Sequence, residues 1–314
     1  MTYGELYRQG KEMLAGAGIG EAELDARLLL EFVCKTTRND LLVHGDRTVE
    51  PEKEADYREK ICRRMSRIPL QHLTGVQEFM GLEFAVDENV LIPRQDTEIL
   101  VEEVLRNLHD GMRVLDMCTG SGCILISLLH YSNHCLGVGA DISEKALACA
   151  EKNAVRLLGG KYPGTLSGAA CPGEGKCPGE NRETDNPGEP EEGFGGFRLI
   201  HSDLFEHVTG KFDIIVSNPP YIRSGEIADL MPEVREHEPV AALDGGEDGL
   251  DYYRRIVQES RAHLYGGGKL FLEIGYDQAD AVRDLLEKAG YLETEVVKDY
   301  AGLCRVVHGV RNFE

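Results

Sequence analysis

No stretch of this sequence approaches the ~20 consecutive apolar residues that a membrane-spanning helix needs, so we expect no membrane partner. The opening segment, MTYGELYRQGKEML, is polar and amphipathic and predicts no secretory signal. The nine cysteines are scattered, and several sit inside apolar runs. This pattern is typical of reduced, packed cysteines rather than of a disulfide framework, and it predicts a cytoplasmic protein.

Basic residues are also scarce. The 314 residues include 34 Lys and Arg against 55 Asp and Glu, which gives a net charge of −21. Nucleic-acid affinity rests largely on Lys and Arg side chains that neutralise phosphates. The charge therefore disfavours direct nucleic-acid binding and favours a protein or small-molecule substrate.

The segment 160–196 contains ten glycines and five prolines and almost no large apolar residues. Such a composition cannot bury enough surface to offset the entropy lost on ordering, so we predict a disordered insertion. Cys171 and Cys177 lie in it without a histidine or a second cysteine pair, and we expect no metal site. The segment carries a net charge of only −4, so the acidity belongs to the rest of the chain.

Three regions are predicted along the chain. Residues 1–68 show apolar residues at helical spacing, as in AELDARLLLEFV, and predict a small helical domain. The alternating FMGLEFAVDENVLI predicts a β-hairpin linker over residues 69–93. Residues 94–314 form the third region, in which strands and helices alternate from Arg113 onward.

This alternation predicts an α/β fold with a mostly parallel, doubly wound sheet. The last two strands, YLETEVVKD and CRVVHGV, are joined too tightly for a parallel crossover, so we expect an antiparallel C-terminal strand. A Rossmann-like sheet with that ending is the layout of class I methyltransferases and not of ordinary dehydrogenases.

The segment DMCTGSGCI (116–124) lies where the first strand of the alternation passes into a helix. Gly120 and Gly122 let the backbone approach a ligand, and the helix start offers unpaired N–H groups. A turn of this kind alone is equally compatible with glycines that serve packing. The third glycine of G-x-G-x-x-G is missing, which disfavours NAD.

Two acidic residues follow the next two strands. Asp141 ends the second strand, where a carboxylate can accept both hydroxyls of a ribose; it can also cap the following helix, or do both. Asp203, predicted to end the third strand, can receive an adenine amino group with Leu204 against the ring. A plain surface acid is the alternative for Asp203.

The fourth strand, in FDIIVSNPPYIRS (212–224), stops abruptly at an asparagine, two prolines and a tyrosine. The Asn218 side-chain oxygen and the Pro219 main-chain oxygen can accept hydrogen bonds from a planar amide or aromatic amine, and Tyr221 can cover it. Pro219 and Pro220 stiffen the loop and keep that carbonyl out of a strand ladder. The pattern predicts methyl transfer to such a nitrogen, which depends on positioning rather than on a strong base.

Along nearly its full length the chain resembles the release-factor glutamine N5-methyltransferases, a class I S-adenosylmethionine family. The similar segments are LIPRQDTE (91–98), DMCTGSGCI, SDLF, IVSNPPYI, EPVAALDGGEDGLDYYRRI (238–256) and LEIG (272–275). The Asn-Pro-Pro-Tyr element alone is shared with adenine N6-methyltransferases that act on DNA. The PRQDTE and EPVAALDGGEDGL stretches look specific to the glutamine branch.

The resemblance implies S-adenosyl-L-methionine as cofactor, S-adenosyl-L-homocysteine as product, and the glutamine of a Gly-Gly-Gln loop in a peptide chain release factor as substrate. It implies a substrate site formed by Asn218, Pro219, Pro220 and Tyr221, with the N-terminal helices docking the release factor. With Asp203 added from its placement, the expected cofactor-binding residues are Cys118, Thr119, Gly120, Ser121, Gly122, Asp141, Asp203, Leu204 and Asn218. We expect a monomer.

Three other functions stay open at this point. Methylation of a ribosomal-protein glutamine differs only in the docking region, and adenine N6 methylation of nucleic acid is disfavoured by the acidic charge. A catalytically silent cofactor-binding module is disfavoured by the intact Asn-Pro-Pro-Tyr element. The clustered glycines of GGEDGLDYYRRI predict a structural turn beside the site that shapes the substrate channel.

Overall fold

The computed structural model describes residues 1–159 and 196–313. The chain divides into two compact units. The first is Met1–Gln77 with Val86–Ile92 and Ala228–Val240; the second is Glu78–Ala85 with Pro93–Ile227 and Ala241–Glu314. The predicted insertion, 160–196, lies outside the described residues except for Gly196. Among the described helices, none combines the length and apolar character needed to cross a bilayer.

Helices dominate the start of the chain: α1 (Tyr3–Gly16), α2 (Ala22–Cys34), α3 (Arg38–Val43), α4 (Pro51–Met65) and α5 (Leu70–Thr74). Pro51 occupies the first turn of α4, where its missing N–H costs nothing. Helix α5 was not predicted, because residues 69–93 read as a hairpin. It forms since Leu73 is buried and the left-handed Gly75 (φ 75°) closes its C-terminus.

The first unit contains a buried ionic cluster that joins distant parts of the sequence. Arg64 Nε lies 2.7 Å from Asp25 Oδ2, and Arg64 Nη1 lies 3.0 Å from Glu233 Oε1. Arg67 Nη1 also approaches Glu233 Oε1, at 3.3 Å. The side chains of Arg64 and Asp25 are more than nine-tenths buried, so each charge depends on its partner. The cluster fixes the Ala228–Val240 segment to the N-terminal helices.

The chain continues through a hairpin into alternating elements. In chain order they are β1 (Val76–Phe79), β2 (Leu82–Ala85), α6 (Asp96–Leu105), β3 (Arg113–Met117), α7 (Cys123–Tyr131), β4 (Leu136–Asp141), α8 (Glu144–Leu158), β5 (Gly196–His201), β6 (Phe212–Ser217), α9 (Pro232–Arg235, part of the first unit), α10 (Asp251–His263), β7 (Leu264–Glu273), α11 (Ala279–Lys288), β8 (Tyr291–Lys298) and β9 (Cys304–Arg311). Short 3₁₀ turns cover Ser224–Asp229 and Val240–Ala242.

Seven strands form one sheet in the order β5-β4-β3-β6-β7-β9-β8. Strands β3 to β7 pair in parallel, whereas β9 is antiparallel to both β7 and β8. The predicted mostly parallel sheet with an antiparallel C-terminal strand is confirmed. The strand order reverses between β3 and β6, and such a switch point is where open α/β sheets bind their ligands.

The central strands β3 and β6 are buried on both faces of the sheet, since successive side chains of a strand point to opposite faces. Val114 and Val216 belong to the apolar cluster that includes α6, α7 and α8. Leu115 and Ile215 belong to the cluster that includes α10 and α11. The continuous apolar runs of β3 and β6 follow from this double burial, and they hold the strand ends at the switch point in fixed register.

Candidate active site

Two loops leave the carboxyl ends of the neighbouring strands β3 and β6. Residues 118–122, here the glycine loop, follow β3, and residues 218–221, here the proline loop, follow β6. Met117 and Ser217, the last residues of the two strands, are register partners. The Ser217 hydroxyl donates to the Met117 carbonyl at 2.6 Å. The two predicted site segments therefore start side by side at the switch point.

The glycine loop is shaped by left-handed backbone at Cys118 (φ 62°), Gly120 (φ 55°) and Gly122 (φ 79°). The Thr119 amide donates to the Ala140 carbonyl of β4 at 3.1 Å, and the Gly122 amide donates to the Thr119 carbonyl at 2.8 Å. Helix α7 begins directly after Gly122. The first N–H groups of a helix have no partner within it, and those of α7 begin at this end of the site.

The two glycines of the loop have different surroundings. A Cβ built on Gly120 meets no heavy atom within 4 Å, so its backbone borders open space. A Cβ on Gly122 would lie 2.8 Å from Ile126 Cδ1 and 3.1 Å from Ala150 Cβ. Gly122 therefore permits close packing of the loop against α8, whereas Gly120 leaves room for a ligand. These two roles cannot be told apart from the sequence, because both positions are glycines of the same turn.

A buried acid supports the loop from within. Asp116 is fully buried, and its Oδ2 accepts a 2.6 Å hydrogen bond from the Thr119 hydroxyl. Burial raises the pKa of Asp116 to about 7, while hydrogen bonds from Thr119 and the Leu125 backbone act in the opposite direction. Although it lies in the DMCTGSGCI segment, Asp116 was not predicted as a site residue. Its contact with Thr119 is structural.

Asn153, on α8, braces the same loop from outside. Its side-chain amide donates to the Ser121 carbonyl at 3.0 Å, and it exchanges hydrogen bonds with both main-chain groups of Ala85 at 2.7 and 3.0 Å. The side chain is completely buried. The backbone of the predicted residue Ser121 is thus fixed by a residue that no sequence motif indicated.

Asp141 ends β4, as predicted, and faces the glycine loop. Its Oδ2 accepts from the Gly120 amide and its Oδ1 from the Ser143 amide, both at 2.9 Å. Ser143 caps α8 by accepting from the Ala146 amide at 3.2 Å. Burial raises the pKa of Asp141, and the hydrogen bonds from Ser143 and Gly120 oppose that rise. A carboxylate has about four acceptor positions, so the observed helix-end role leaves others for a ribose.

The prediction that Asp203 ends the third strand is wrong in detail, because β5 stops at His201. Asp203 lies in the following turn, where its Oδ1 is 3.0 Å from Arg255 Nη1 and both side chains are nearly half exposed. Leu204 has left-handed backbone (φ 49°) and a buried side chain within the apolar core. Contacts of Asp203 and Leu204 with adenine stay predictions.

The proline loop offers acceptors rather than donors. The Asn218 side-chain nitrogen, Nδ2, donates to the Thr97 hydroxyl oxygen at 3.3 Å. Among the described residues, neither Asn218 Oδ1 nor the Pro219 carbonyl oxygen receives a hydrogen bond. Pro219 and Pro220 are buried, and Asn218 and Tyr221 are partly exposed. Two acceptors on adjacent residues thus remain available for a ligand.

The turn formed by the clustered glycines holds this loop in place. The Ile222 amide donates to the Leu243 carbonyl at 3.0 Å, and the Gly245 amide donates to the Ile222 carbonyl at 2.8 Å. A Cβ on Gly245 would lie 2.7 Å from Tyr221 Cα and 2.8 Å from the Pro220 oxygen. The predicted structural turn beside the site is confirmed, whereas its effect on a substrate channel stays a prediction.

Gln278 completes the support by donating from Nε2 to the Tyr221 carbonyl at 3.0 Å. Gln278 is buried, and its own Oε1 accepts from the Gly275 amide at 2.9 Å. The main chain of Tyr221 is therefore fixed by hydrogen bonding. Burial raises the pKa of the Tyr221 phenol, so this side chain acts as a neutral ring and hydroxyl.

A second buried acid, Glu273, lies at the end of β7. Burial raises its pKa to about 7, while a hydrogen bond from Thr97, the charge of Arg305 and a hydrogen bond from Tyr221 lower it. Arg305 Nη2 is itself held by Asp96 Oδ2 at 2.9 Å and Asp299 Oδ2 at 3.2 Å. Thr97 and Glu273 were not predicted as site residues, although they fall in the PRQDTE and LEIG segments.

Known proteins resemble the chain over most of its length. A family model described as the PrmC N-terminal domain matches residues 5–75. The release factor glutamine methyltransferase of Geobacter sulfurreducens is 39% identical over 297 residues, which cover 94% of this chain and 92% of the relative. The protein of the same name from Moorella thermoacetica is 37% identical over 318 residues, which cover 100% of both chains.

The crystal structure of a methyltransferase from Pyrococcus furiosus shares the fold, with a TM-score of 0.50 at 17% identity over 80% of this chain and 98% of that one. The family follows from the sequence relatives, whose identity exceeds one third along nearly the whole of both chains. On that evidence of shared sequence, with the glycine and proline loops side by side at the switch point, the chain belongs to the release factor glutamine methyltransferases.

Proposed function

We propose that this chain transfers the methyl group of S-adenosyl-L-methionine to the side-chain amide nitrogen, N5, of a glutamine in a peptide chain release factor. The observation that carries the proposal is the pair of acceptors, Asn218 Oδ1 and the Pro219 carbonyl oxygen, beside the glycine loop. The names of the relatives support a release factor as the partner. The glutamine is that of the Gly-Gly-Gln motif.

The site fits the cofactor on three counts. Gly120 borders open space where any side chain would intrude, the start of α7 offers N–H donors, and Asp141 keeps acceptor positions for ribose hydroxyls. The residues that would hold the cofactor are Cys118, Thr119, Gly120, Ser121, Gly122, Asp141, Asp203, Leu204 and Asn218. When bound, S-adenosyl-L-methionine supplies a methyl group on a sulfonium and leaves as S-adenosyl-L-homocysteine.

The proline loop makes a poor nucleophile competent. A glutamine amide nitrogen is planar and its lone pair is delocalised into the carbonyl, so it reacts slowly. Its two N–H groups match the two acceptors, Asn218 Oδ1 and the Pro219 oxygen, which hold the nitrogen and return electron density to it. Pro219 and Pro220 hold their φ angles near −65°, so the acceptors stay fixed when the substrate arrives.

No general base is required for this transfer. Methylation adds one bond to the nitrogen, so one of its two protons must leave. A protonated N-methylamide is a strong acid, and it releases this proton to water without help. The chain therefore acts by positioning, with Tyr221 covering the planar amide group.

We assign release factor docking to the helical region 1–68, the linker to 69–93 and the transferase to 94–314. The match of residues 5–75 to the PrmC N-terminal domain supports a distinct N-terminal region. The net charge of −21 favours a protein substrate over a nucleic acid. The reaction would then take place in the cytoplasm, where release factors act.

The test is mass spectrometry of an unmodified release factor from the same source after incubation with the purified chain and S-adenosyl-L-methionine. We expect one added methyl on the glutamine of the Gly-Gly-Gln peptide. Asn218→Ala should lower the rate at least about 100-fold, because it removes one of two fixed acceptors. Asn312→Ala, an asparagine at the C-terminal end, is the matched control and should retain the wild-type rate.

An unmodified peptide, with cofactor binding intact, would refute the release factor as substrate. The same assay on ribosomal proteins and on DNA would then identify which of the other two substrates receives the methyl group. A methylated peptide whose formation is unchanged by Asn218→Ala would instead refute the role of the proline loop.

A further inference from the structure

The turn that joins β8 to β9, residues 299–303 and here the hairpin turn, is closed by its own hydrogen bonds. Asp299 Oδ1 accepts from the Ala301 amide at 3.0 Å and from the Leu303 amide at 2.9 Å. The Asp299 amide in turn donates to the Leu303 carbonyl at 2.8 Å. Only 7% of the Asp299 side chain is exposed. The turn therefore holds the carboxylate of Asp299 in one place.

Arg305, which follows the hairpin turn on β9, joins this carboxylate to helix α6. Its Nη2 lies 3.2 Å from Asp299 Oδ2 and 2.9 Å from Asp96 Oδ2. Arg305 is buried, and its carbonyl accepts from the Ile274 amide at 2.9 Å. Because a guanidinium stays protonated in proteins, its charge is always available to both acids. Arg305 thus connects a fixed turn to Asp96, the first residue of α6.

The start of α6 has no cap of its own. Gln95, the residue before the helix, makes no side-chain hydrogen bond to it. A capping side chain usually binds the free N–H groups of a helix start and so holds the first turn. Two contacts from other segments hold this turn instead. The Met80 amide donates to Glu98 Oε1 at 2.6 Å, and Arg305 binds Asp96.

The position of that turn matters for the site because Thr97, next to Asp96, contacts Asn218. Asn218 Nδ2 donates to Thr97 Oγ1 at 3.3 Å, which is longer than the usual range of about 2.7–3.2 Å. A small displacement of the helix start would therefore break this bond. Thr97 is only 2% exposed, so water has little access to take its place. The side chain of Asn218 is held by a contact that depends on exactly where α6 begins.

We propose that Arg305 and Asp96 are positioning residues for the methyl transfer. Their ion pair fixes the first turn of α6, and Thr97 on that turn holds the side-chain amide of Asn218. The hairpin turn anchors the pair through Asp299. The inference rests on the proposed role of Asn218 as an acceptor for the substrate glutamine.

Asp96→Ala removes the carboxylate from α6 and leaves Arg305 paired with Asp299. Asp96 is about half exposed, so the variant should fold. We expect kcat for glutamine methylation to fall about tenfold, because the acceptor on Asn218 is less well placed in the transition state. The KM for the release factor and the Kd for S-adenosyl-L-methionine should stay within about twofold, since neither contact is changed. Asp96→Glu keeps a carboxylate and should recover kcat to within about threefold of wild type.

The matched control is Asp280→Ala. Asp280 also lies in the first turn of a helix, α11, and also pairs with an arginine, Arg283 Nη2 at 2.8 Å. The substitution removes the same charge from a helix start, and kcat should not change. Wild-type kcat in Asp96→Ala, or an equal loss of kcat in Asp280→Ala, would overturn the proposal.

A double-mutant cycle tests the route through Asn218. Asn218→Ala has no side-chain amide to position, so adding Asp96→Ala to it should lower kcat by less than about twofold. A further tenfold loss would show that Asp96 acts elsewhere, which overturns the proposal. Asp96→Ala should be equally silent when added to Arg305→Gln, because the ion pair is already broken there. A tenfold loss on that background would show that Asp96 works without Arg305.

A crystal structure of Asp96→Ala provides a readout that needs no substrate. The distance between Asn218 Nδ2 and Thr97 Oγ1 is 3.3 Å in the wild-type chain, and it should exceed about 3.5 Å in the variant. An unchanged distance would overturn the proposal, whatever the activity of the variant.

The two kinds of measurement separate this inference from the proposed function. A wild-type chain that does not methylate the release factor, with the lengthened distance in Asp96→Ala, refutes the substrate and supports the positioning role. A chain that methylates the glutamine at the same rate with alanine at position 96 supports the substrate and refutes the positioning role.

Discussion

The glycine loop and the proline loop leave adjacent strands at the same switch point, yet they present opposite polar groups. Residues 118–122 turn through left-handed backbone into a helix start, whose first N–H groups have no partner within the helix. Residues 218–221 contain two prolines, which have no N–H group, and they leave a carbonyl and an amide oxygen available. One loop suits a ligand with acceptors, such as a carboxylate, and the other suits an NH2 group.

The two loops also differ in how they are supported. In the glycine loop the buried acid and its threonine, Asp116 and Thr119, lie three residues apart. In the proline loop the support comes from residues far away in the sequence, Thr97 on α6, Gln278 and Gly245. The polar groups that each loop presents are therefore set by its own sequence, whereas the position of the proline loop depends on distant residues.

The largest expected effect comes from breaking the distant support of the proline loop. Gly245→Ala places a Cβ within 2.8 Å of the Pro220 oxygen and of Tyr221 Cα, so the loop must shift. We expect the methylation rate to fall about 100-fold, since a displacement near 1 Å has that cost, with cofactor affinity unchanged. A calorimetric Kd for S-adenosyl-L-methionine and the peptide mass assay measure the two effects.

Gly225→Ala is the matched control, because a Cβ there meets nothing within 4 Å and the backbone is not left-handed. It should retain wild-type activity. Wild-type activity in Gly245→Ala would show that the turn does not support the site. A higher Kd for S-adenosyl-L-methionine in this variant would show that the two loops are not independent.

A smaller effect is expected in the glycine loop, and there it concerns the affinity for the cofactor rather than the methylation rate. Gly120→Ala forces a side chain into left-handed backbone, at a cost of about 1–2 kcal/mol, and directs a Cβ into the open space of the site. The Kd for S-adenosyl-L-methionine should rise at least about tenfold, while the rate at saturating cofactor recovers. The same calorimetric titration measures this.

Gly302→Ala provides the comparison, since Gly302 is also left-handed (φ 84°) with nothing within 4 Å, but lies between β8 and β9. It should lose stability and keep the wild-type Kd. Equal Kd values for Gly120→Ala and wild type would remove the assignment of the open space at Gly120 to the cofactor.

The last effect concerns the unfolding free energy and its dependence on pH rather than catalysis or binding. Burial raises the pKa of Asp116 to about 7, so the folded chain keeps a proton that the unfolded chain releases near pH 4. The stability contributed by Asp116 is therefore fully present below pH 4 and is lost as the pH rises through 7, at about 1.4 kcal/mol per pKa unit. Asp116→Asn removes this titration and should flatten the dependence of unfolding free energy on pH.

Urea unfolding at pH 5.5 and 8.5 measures how much the unfolding free energy changes with pH in wild type and in Asp116→Asn. The exposed Asp110→Asn variant is the control and should reproduce the wild-type pH dependence. Parallel profiles for Asp116→Asn and wild type would show that Asp116 is not protonated in the fold. Glu273 continues to titrate in the variant, because burial raises its pKa to about 7 as well.

Much of the fold followed from local pattern. Strand β3 and helix α7 meet at the DMCTGSGCI segment, as predicted, and the last two strands pair antiparallel. Asp141 and Asn218 could be placed at the site because the carboxyl ends of parallel strands meet at one edge of a sheet. These predictions needed only the residues next to one another in the sequence.

The supports of the site could not be predicted in this way. Thr97, Gln278 and Asn153 act through hydrogen bonds to residues that are 32 to 121 positions away, so their role depends on sheet order and register. Buried acids such as Glu273 look like ordinary polar residues at a strand end. Helix α5 was missed because five residues are too few for apolar periodicity to be recognised.

The ionic cluster of Arg64, Asp25 and Glu233 has a consequence for protein engineering. Its third member comes from a stretch more than 150 residues after the first two, so the helical unit is not a continuous module at the start of the chain. A fragment cut at residue 77 would carry Arg64 without Glu233. Exchange of this unit with that of a relative, as a test of the proposed docking role, must therefore transplant 86–92 and 228–240 together with the first 77 residues.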